Sequence, residues 1–218
     1  MGVHFPFLCH ETWNIFTDLV PLFLFIRAWV RVPARVPLDV HGLLAGIVAS
    51  RACSLAFHLA DRRSARRART WQAVDAFSVS CMSLGAPWML RVARAPASAW
   101  RPFMTVLLSL VASHASAAQR GAAAEPVLQL LVAAWGHAPA AWAAAGAAPE
   151  PVARLCAQAV AWLGLGFLFF YTLGLPESFF FRHTPGALRG HPWHSHVLWH
   201  AAASLGQAAL VRAAFVLP

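Results

Sequence analysis

Two histidines near the C-terminus, His196 and His200, have the spacing of a metal-binding pair. Residues four apart in a helix lie on one face about one turn apart, and two imidazoles at that separation can bind the same metal ion. The residues that follow, 201–218, are almost wholly apolar and long enough to complete a membrane span. Because ionisable groups inside a span are costly, their presence there indicates a functional site. An isolated pair is weak evidence, so the rest of the chain must support it.

Further polar residues in the first half of the chain could complete such a site. Ser54 and His58 are again four residues apart, at the end of an apolar stretch, and Asp75 comes near the start of the next one. If these stretches are helices of an up-and-down bundle, the end of the second, the start of the third and the start of the last lie at the same face. The sequence therefore predicts that His58 and Asp75 converge with the C-terminal pair.

The composition indicates that the apolar stretches cross a membrane. Hydrophobic residues make up 59% of the 218 residues and charged residues 11%, whereas soluble domains are nearer a quarter charged. A bilayer core of about 30 Å needs roughly 20 apolar residues per helix. Windows of that length predict an all-α membrane protein with a single domain over residues 1–218, a seven-transmembrane helix bundle. The predicted spans are about 15–36, 38–60, 71–92, 98–118, 126–147, 152–174 and 196–217.

The convergent residues have the chemistry of a hydrolytic zinc site. Three imidazoles and a water molecule make a four-coordinate zinc with one open position, which is the pattern of a catalytic site rather than a closed structural one. His58, His196 and His200 are the predicted ligands. Asp75 is predicted to hold and deprotonate the water. Ser54 is predicted to donate a hydrogen bond to a developing oxyanion or to support a ligand.

These residues also have ordinary structural interpretations. His58 could be a histidine hydrogen-bonded within the bundle, and Ser54 could simply pack between helices. Asp75 could pair with Arg51 or with Gln72. Taken jointly, three histidines and one acid at the same depth favour the metal site over these alternatives.

Two other histidines could compete as ligands. His191 and His194 precede the C-terminal pair, but Pro192 lies between them and disfavours a continuous helix. The predicted ligand set therefore leaves them out.

The net charge of +9 comes from arginine, because the chain has no lysine. In a soluble protein this charge would suggest nucleic acid, but here the arginines fall mostly in predicted loops, and we expect no nucleic-acid partner. Five arginines crowd into residues 61–70, which favours a cytosolic loop, with contact to anionic lipid as the alternative. Eight arginines fall on each predicted face, so the clustering alone favours a cytosolic N-terminus.

Three segments of the chain resemble the sequence motifs of one membrane protein family. The first is His10-Glu-Thr-Trp-Asn-Ile-Phe-Thr-Asp-Leu19, and the second is Ser54-x-x-x-His58 followed by Asp75. The third comprises Tyr171-x-x-x-x-Pro176-Glu177, Pro185-Gly186 and Ser195-His196-x-x-x-His200. In this order, and near the expected span boundaries, they are similar to the motifs of the progestin and adipoQ receptor family, which includes adiponectin receptors and haemolysin-III-like proteins.

The resemblance implies seven helices, a cytosolic N-terminus, and zinc held by the histidines that match His58, His196 and His200. It also implies that the residue matching Asp75 positions the zinc-bound water and that the one matching Ser54 supports it. Adiponectin receptors are associated with ceramidase activity, and other members with steroid signalling or with roles in the Golgi. The related alkaline ceramidases share the His, Ser and Asp set, but their opening motif and His-to-Asp spacing differ.

We therefore predict an integral membrane protein that hydrolyses a lipid amide such as ceramide by means of a zinc-bound water. The alternative is a heptahelical signalling receptor whose zinc is structural. A membrane lipid or lipid-like molecule is the expected partner. A lipid-sized cavity that reaches the metal from the membrane would favour the hydrolase, and a sealed zinc with four protein ligands would favour the receptor. Leu175 stands where the family commonly has an arginine, which leaves the loop contacts open but not the metal site.

Overall fold

The computed structural model describes residues 11–33, 35–60, 65–122, 124–180 and 194–216. Within these ranges the chain forms helices joined by short connections, with no strand. A short helical turn, Glu177–Phe180, precedes the last helix. The long helices are α1 Thr12–Val30; α2 Leu38–Leu59; α3 Ala65–Cys81, continued by a 3-10 turn Met82–Gly85 and by Ala86–Val92; α4 Ala97–Arg120; α5 Glu125–Trp142 with a π-helical turn Ala143–Ala147; α6 Glu150–Leu165 with a π-helical end Gly166–Thr172; and α7 Ser195–Val216.

Five of these helices are long and apolar enough to cross a membrane. They are Thr12–Val30, Leu38–Leu59, Arg69–Val92, Glu125–Ala147 and Glu150–Thr172. The prediction of an all-helical chain is therefore confirmed for the residues that the structure describes. That the apolar helices cross a membrane, and that seven of them do so, stay predictions.

The two remaining long helices, α4 and α7, are long enough but more polar. They contain 24 and 22 residues, which exceeds the roughly 20 that a span needs. Polar residues of α7 face inwards, since His200 and Gln207 are both buried. The polarity of α7 therefore arises in part from side chains that belong to the interior of the bundle, and in part from the exposed Arg212 near its C-terminal end.

The first helix is displaced from its predicted span. α1 runs from Thr12 to Val30 and so stops short of residue 36. Pro33 and Pro37 explain the early end, because a residue that precedes proline avoids the helical conformation and proline itself cannot donate a backbone hydrogen bond. The earlier start matters for the site, because it places one more helical turn of α1 at the end of the bundle where α2 ends.

Two glycines let α2 approach α3 closely. A Cβ atom at Gly46 would lie 2.5 Å from the backbone oxygen of Cys81, and one at Gly42 would lie 2.9 Å from that of Leu84. Small residues spaced four apart allow helices in lipid to pack at short range. Leu43 and Leu44 beside them are fully buried. This packing fixes α2 against α3 and so brings the C-terminal end of α2 next to the N-terminal end of α3.

The last helix, α7, occupies the centre of the bundle, where it contacts α1, α2 and α6. A Cβ atom at Gly206 would lie 2.7 Å from the Cγ atom of Leu163, and one at Gly166 would lie 2.7 Å from the Cβ atom of Ala202. Close packing against α6 thus holds α7 in place. Its first two turns, which carry the histidine pair, consequently face the ends of α1 and α2.

The alanine-rich region 115–148 forms two helices, as the sequence predicts. α4 ends at Arg120, and Gly121 adopts a left-handed conformation with φ of 63°. Glycine adopts this conformation without the steric cost that a Cβ atom brings. Gly121 therefore ends α4 in the gap between the predicted spans 98–118 and 126–147.

Candidate metal centre

Three histidines meet at one end of the bundle. His58 lies in the last turn of α2, and His196 and His200 lie in the first two turns of α7. The Nε2 atom of His200 lies 3.2 Å from that of His58 and 3.1 Å from that of His196. Nitrogen ligands at 2.0–2.1 Å around a tetrahedral zinc are about 3.3 Å apart. The three histidines could therefore hold a metal ion.

Carboxylates hold the outer nitrogens of two of these rings. The Nδ1 atom of His58 lies 2.6 Å from an oxygen of Glu11, and the Nδ1 atom of His200 lies 2.9 Å from an oxygen of Asp18. A carboxylate accepts a hydrogen bond, so each Nδ1 donates and each Nε2 presents its lone pair. A carboxylate behind a metal-binding histidine fixes the ring and its tautomer.

This arrangement is unfavourable unless a cation lies between the rings. Two Nε2 lone pairs that face one another at 3.2 Å repel each other, and a positive ion at their meeting point turns that repulsion into attraction. The geometry and the tautomers thus both fit a metal ion bound to His58, His196 and His200.

The two carboxylates that contact the histidine Nδ1 atoms lie on one face of α1. Glu11 and Asn14 are three residues apart and Asp18 follows four residues later, so all three lie on the same side of α1. The amide nitrogen of Asn14 donates to Glu11 at 3.1 Å, and both Asn14 and Asp18 are buried. Glu11 and Asp18 of the first motif therefore hold His58 and His200 through the Nδ1 atoms of these rings. From the sequence alone, Glu11, Asn14 and Asp18 had no predicted role.

Asp75 and Ser54 lie beside the histidines without joining them. Ser54 of α2 lies next to the carboxylate of Asp75 of α3, and both residues line the same cavity as His196 and His200. Among the residues that the structure describes, the group with metal-ligand spacing is the three histidines and does not include Asp75. Asp75 is therefore placed near the metal position but not as a ligand. This placement is compatible with its predicted contact to a water molecule.

A buried arginine pairs with Asp18, and its importance was missed from the sequence. Arg51 donates to Asp18 at 2.9 Å and to the side-chain oxygen of Gln207 at 2.6 Å. The alternative in which Arg51 pairs with Asp75 is thus not the arrangement that these contacts show. Arg51 is seven residues before His58, which puts both on one face of α2 two turns apart. That spacing is the signal that could have revealed it.

The neighbouring histidine His194 does not join the metal-binding group. Its Nδ1 atom instead accepts a hydrogen bond of 3.3 Å from the backbone N–H of His196. His191 and the predicted motif residues Pro185 and Gly186 lie outside the described residues.

A cavity of about 500 Å³ extends from the histidines into the bundle. Its polar end contains His196, His200, Asp75 and Ser54. Apolar and small residues of α5 and α6 form a large part of the remaining wall: Leu130, Ala134, Ala138, Leu163, Gly164, Phe167 and Leu168. The side chains of Leu130 and Leu168 are also partly exposed at the outer surface. The cavity therefore approaches the side of the bundle between α5 and α6.

A second, more polar cavity of about 270 Å³ meets the same site. Asp75 and His196 line it together with polar residues from three helices, Gln72, Glu125, Gln129 and Tyr171. The Tyr171 hydroxyl donates to Gln129 at 2.7 Å. Because Gln72 is exposed at the end of the bundle, this cavity is a polar approach to the site, separate from the apolar one.

Comparison of the chain with protein-family models and with curated proteins finds no match. What this site does must therefore be inferred from its own geometry and chemistry.

Proposed function

We propose that the protein is an intramembrane zinc hydrolase that cleaves a lipid amide such as ceramide, as its resemblance to the progestin and adipoQ receptor family implies. One observation carries this proposal. A largely apolar cavity of about 500 Å³ ends at a cluster of three histidines with metal-ligand spacing. Pockets that bind small molecules are usually apolar, with a few polar groups at one place. Here those polar groups are the ones that amide hydrolysis requires.

The site residues have distinct roles in this proposal. His58, His196 and His200 bind zinc, which would supply Lewis acidity to a water molecule and to the amide carbonyl. Asp75 accepts a proton from the attacking water and delivers it to the leaving amine. Ser54, which lies next to Asp75, would donate a hydrogen bond to its carboxylate and orient it.

The two cavities suit the two reactants. An acyl chain fits the apolar cavity, because that cavity approaches the lipid-facing side of the bundle between α5 and α6. Water fits the polar cavity, whose wall includes Asp75 and Glu125. The site is thus open both to a lipid and to water, which favours the hydrolase over a receptor whose zinc is sealed by protein ligands.

The experiment is a turnover assay with purified zinc-loaded protein in lipid nanodiscs. A panel of long-chain lipid amides is incubated with the protein, and released fatty acid is measured by mass spectrometry. We expect release that stops on chelation and returns with added zinc. A protein that binds zinc but releases fatty acid from none of the amides would support the receptor alternative instead.

A pair of tryptophan substitutions, each at an alanine, tests whether the apolar cavity admits the substrate. Ala138→Trp places an indole in the cavity wall, whereas Ala157→Trp places one on an exposed part of α6 outside it. We expect Ala138→Trp to lower turnover at least about tenfold without loss of zinc, because the acyl chain and the indole compete for one volume. Ala157→Trp should leave turnover unchanged. Equal turnover in both variants would show that the substrate enters elsewhere.

We further propose that all seven long helices cross the membrane with the N-terminus in the cytosol. Residues 65–70, predicted as part of a loop, form the first turns of α3. Accessibility tags at the N-terminus and within residues 61–70 should then report the cytosol, because arginine-rich segments next to a span stay on that side. A tag at the C-terminus should report the opposite side, since an odd number of spans separates the two ends. If both ends are on one side, either α4 or α7 does not cross.

A further inference from the structure

The apolar cavity and the polar cavity meet beside the histidine cluster. Four residues line both cavities: Asp75, Gln129, Tyr171 and His196. An amide is planar and almost always trans, so its acyl chain and the group on its nitrogen leave in opposite directions. With the acyl chain in the apolar cavity, the head group on the nitrogen extends into the polar cavity of about 270 Å³, which it shares with water.

Glu125 presents an accessible carboxylate to the polar cavity. It lines that cavity, and 16% of its side chain is exposed, so a ligand can reach it. Gln129, one turn further along α5, lines both cavities, whereas Glu125 lines the polar one alone. Glu125 therefore lies on the side of the junction where the head group extends, away from the acyl chain.

A buried histidine holds this carboxylate in place. The Nε2 atom of His114 lies 3.2 Å from the Oε1 atom of Glu125, and its Nδ1 atom lies 3.3 Å from the hydroxyl of Ser80. His114 is fully buried. Because Nε2 donates to Glu125, the Nδ1 atom of the neutral ring accepts from Ser80. A carboxylate has about four acceptor positions, so one bond from His114 fixes Glu125 and leaves acceptor capacity for a ligand.

The charges of the polar cavity determine which head groups suit it. Asp75 and Glu125 are both acidic, and none of the described residues that line this cavity is an arginine. Glu125 is also the first residue of α5, where the positive end of the helix dipole stabilises a negative charge. An anionic head group would meet like charges, which is unfavourable. A hydroxyl or ammonium group would instead donate a charge-assisted hydrogen bond.

We propose that Glu125 binds the head group of the substrate, and that the substrate is an acyl amide whose head group carries a hydroxyl or an ammonium group rather than an acid. The proposal rests on the proposed function for the amide and adds the class of head group. An N-acyl amino alcohol supplies the hydroxyl, and an N-acyl diamine supplies the ammonium. Both donate hydrogen bonds to a carboxylate, and the test distinguishes them.

The test compares the binding of four hexadecanesulfonamides to the purified, zinc-loaded full chain in nanodiscs. The sulfonamide replaces the amide and resists hydrolysis, so affinity is measured without turnover. The nitrogen carries a 2-hydroxyethyl, 2-aminoethyl, carboxymethyl or propyl group. We expect the hydroxyl and ammonium compounds to bind at least about tenfold more tightly than the propyl compound, in keeping with a hydrogen bond to a charged group. The carboxylate compound should bind no more tightly than the propyl compound.

The tighter of the hydroxyl and ammonium compounds identifies the donor that Glu125 binds. Equal affinity for all four compounds, or tightest binding of the carboxylate compound, would overturn the proposal.

Two substitutions connect the preference to Glu125. Glu125→Gln keeps the size of the side chain and removes its charge, so the ratio of ammonium to carboxylate affinity should fall at least about tenfold. Glu150→Gln is the matched control, because Glu150 begins α6 as Glu125 begins α5, and each is followed by proline. Glu150 is exposed, is bonded to Arg154 and lines neither cavity, so its substitution should leave the ratio unchanged. An unchanged ratio in a Glu125→Gln protein with normal zinc content would contradict the proposal.

Parallel turnover assays separate this proposal from the hydrolase. A preference that depends on Glu125, without release of fatty acid from any amide, would support the head-group site and contradict the enzyme. Equal release of fatty acid from N-palmitoylethanolamine and N-palmitoylglycine, with equal affinity for the four sulfonamides, would support the enzyme and contradict the head-group site.

Discussion

Asp75→Asn is expected to lower the turnover of a lipid amide about 10²–10⁴-fold, the contribution of a positioned general base, while the protein keeps its zinc. The amide has the same shape as the carboxylate and can accept a hydrogen bond from the neighbouring Ser54, but it cannot accept the proton of a water molecule. Zinc should stay because Asp75 is not among the three residues with ligand spacing. Fatty-acid release and metal content are measured on the same preparation.

Asp39→Asn is the matched control for this substitution. Asp39 lies in the first turn of α2 and pairs with Arg91, at the end of that helix remote from the histidines. Its substitution removes one acid from the same helix bundle without touching the site, so turnover should be unchanged. Full turnover in Asp75→Asn would contradict the general-base role. Loss in both variants would point to a general effect on the fold.

The second large effect is expected from the histidines. His196→Ala should lower zinc occupancy sharply from about one ion per chain, because it removes one of three protein ligands. His58→Ala and His200→Ala should do the same. Each loss should also lower the thermal stability, since a metal that binds the folded site alone adds its binding free energy to folding. Zinc is measured by elemental analysis, and stability by thermal unfolding in detergent.

His41→Ala is the control for metal content. His41 lies near the other end of α2, where its Nδ1 atom accepts a hydrogen bond of 3.1 Å from Trp29. It should change the zinc content little. Equal zinc in the wild type and in all three cluster variants would remove the basis for the metal centre.

The histidine cluster could be predicted from the sequence because its geometry depends on two simple facts. Spacing of four places His196 and His200 on one face of a helix. Consecutive helices of a bundle alternate in direction, so the end of α2 and the start of α7 meet at one face. These two facts hold whichever helices pack side by side. In the structure the Nε2 atoms of His58 and His200 lie 3.2 Å apart.

The carboxylates behind the histidines could not be predicted in the same way. Glu11 and Asp18 act on His58 and His200 only because α1 packs beside both α2 and α7. Which helices are neighbours depends on close contacts such as that at Gly206, and a single sequence does not state which surface a glycine will meet. The pairing of Arg51 with Asp18 rather than Asp75 depends on the same arrangement.

The number of spans and the position of the cavity are difficult to predict from the sequence for a different reason. Hydropathy identifies helices that face lipid. The mean hydropathy of α7 is lowered by His200 and Gln207, which face the interior, as well as by the exposed Arg212. The walls of the cavity on α5 and α6 are largely alanine, leucine and glycine. Alanine, leucine and glycine occur on helix surfaces that face lipid, a neighbouring helix or a cavity. The sequence therefore does not indicate the opening between α5 and α6.

Zinc K-edge X-ray absorption spectroscopy of the purified protein tests the account most directly, because it counts the ligands of the metal. We expect three imidazole nitrogens and one oxygen, all at about 2.0–2.1 Å, as in a zinc site with an open position. The His196→Ala protein, loaded with zinc to the extent it binds, should show one imidazole fewer. Four protein ligands around zinc, or a protein that binds no zinc, would contradict the hydrolytic centre proposed for His58, His196 and His200.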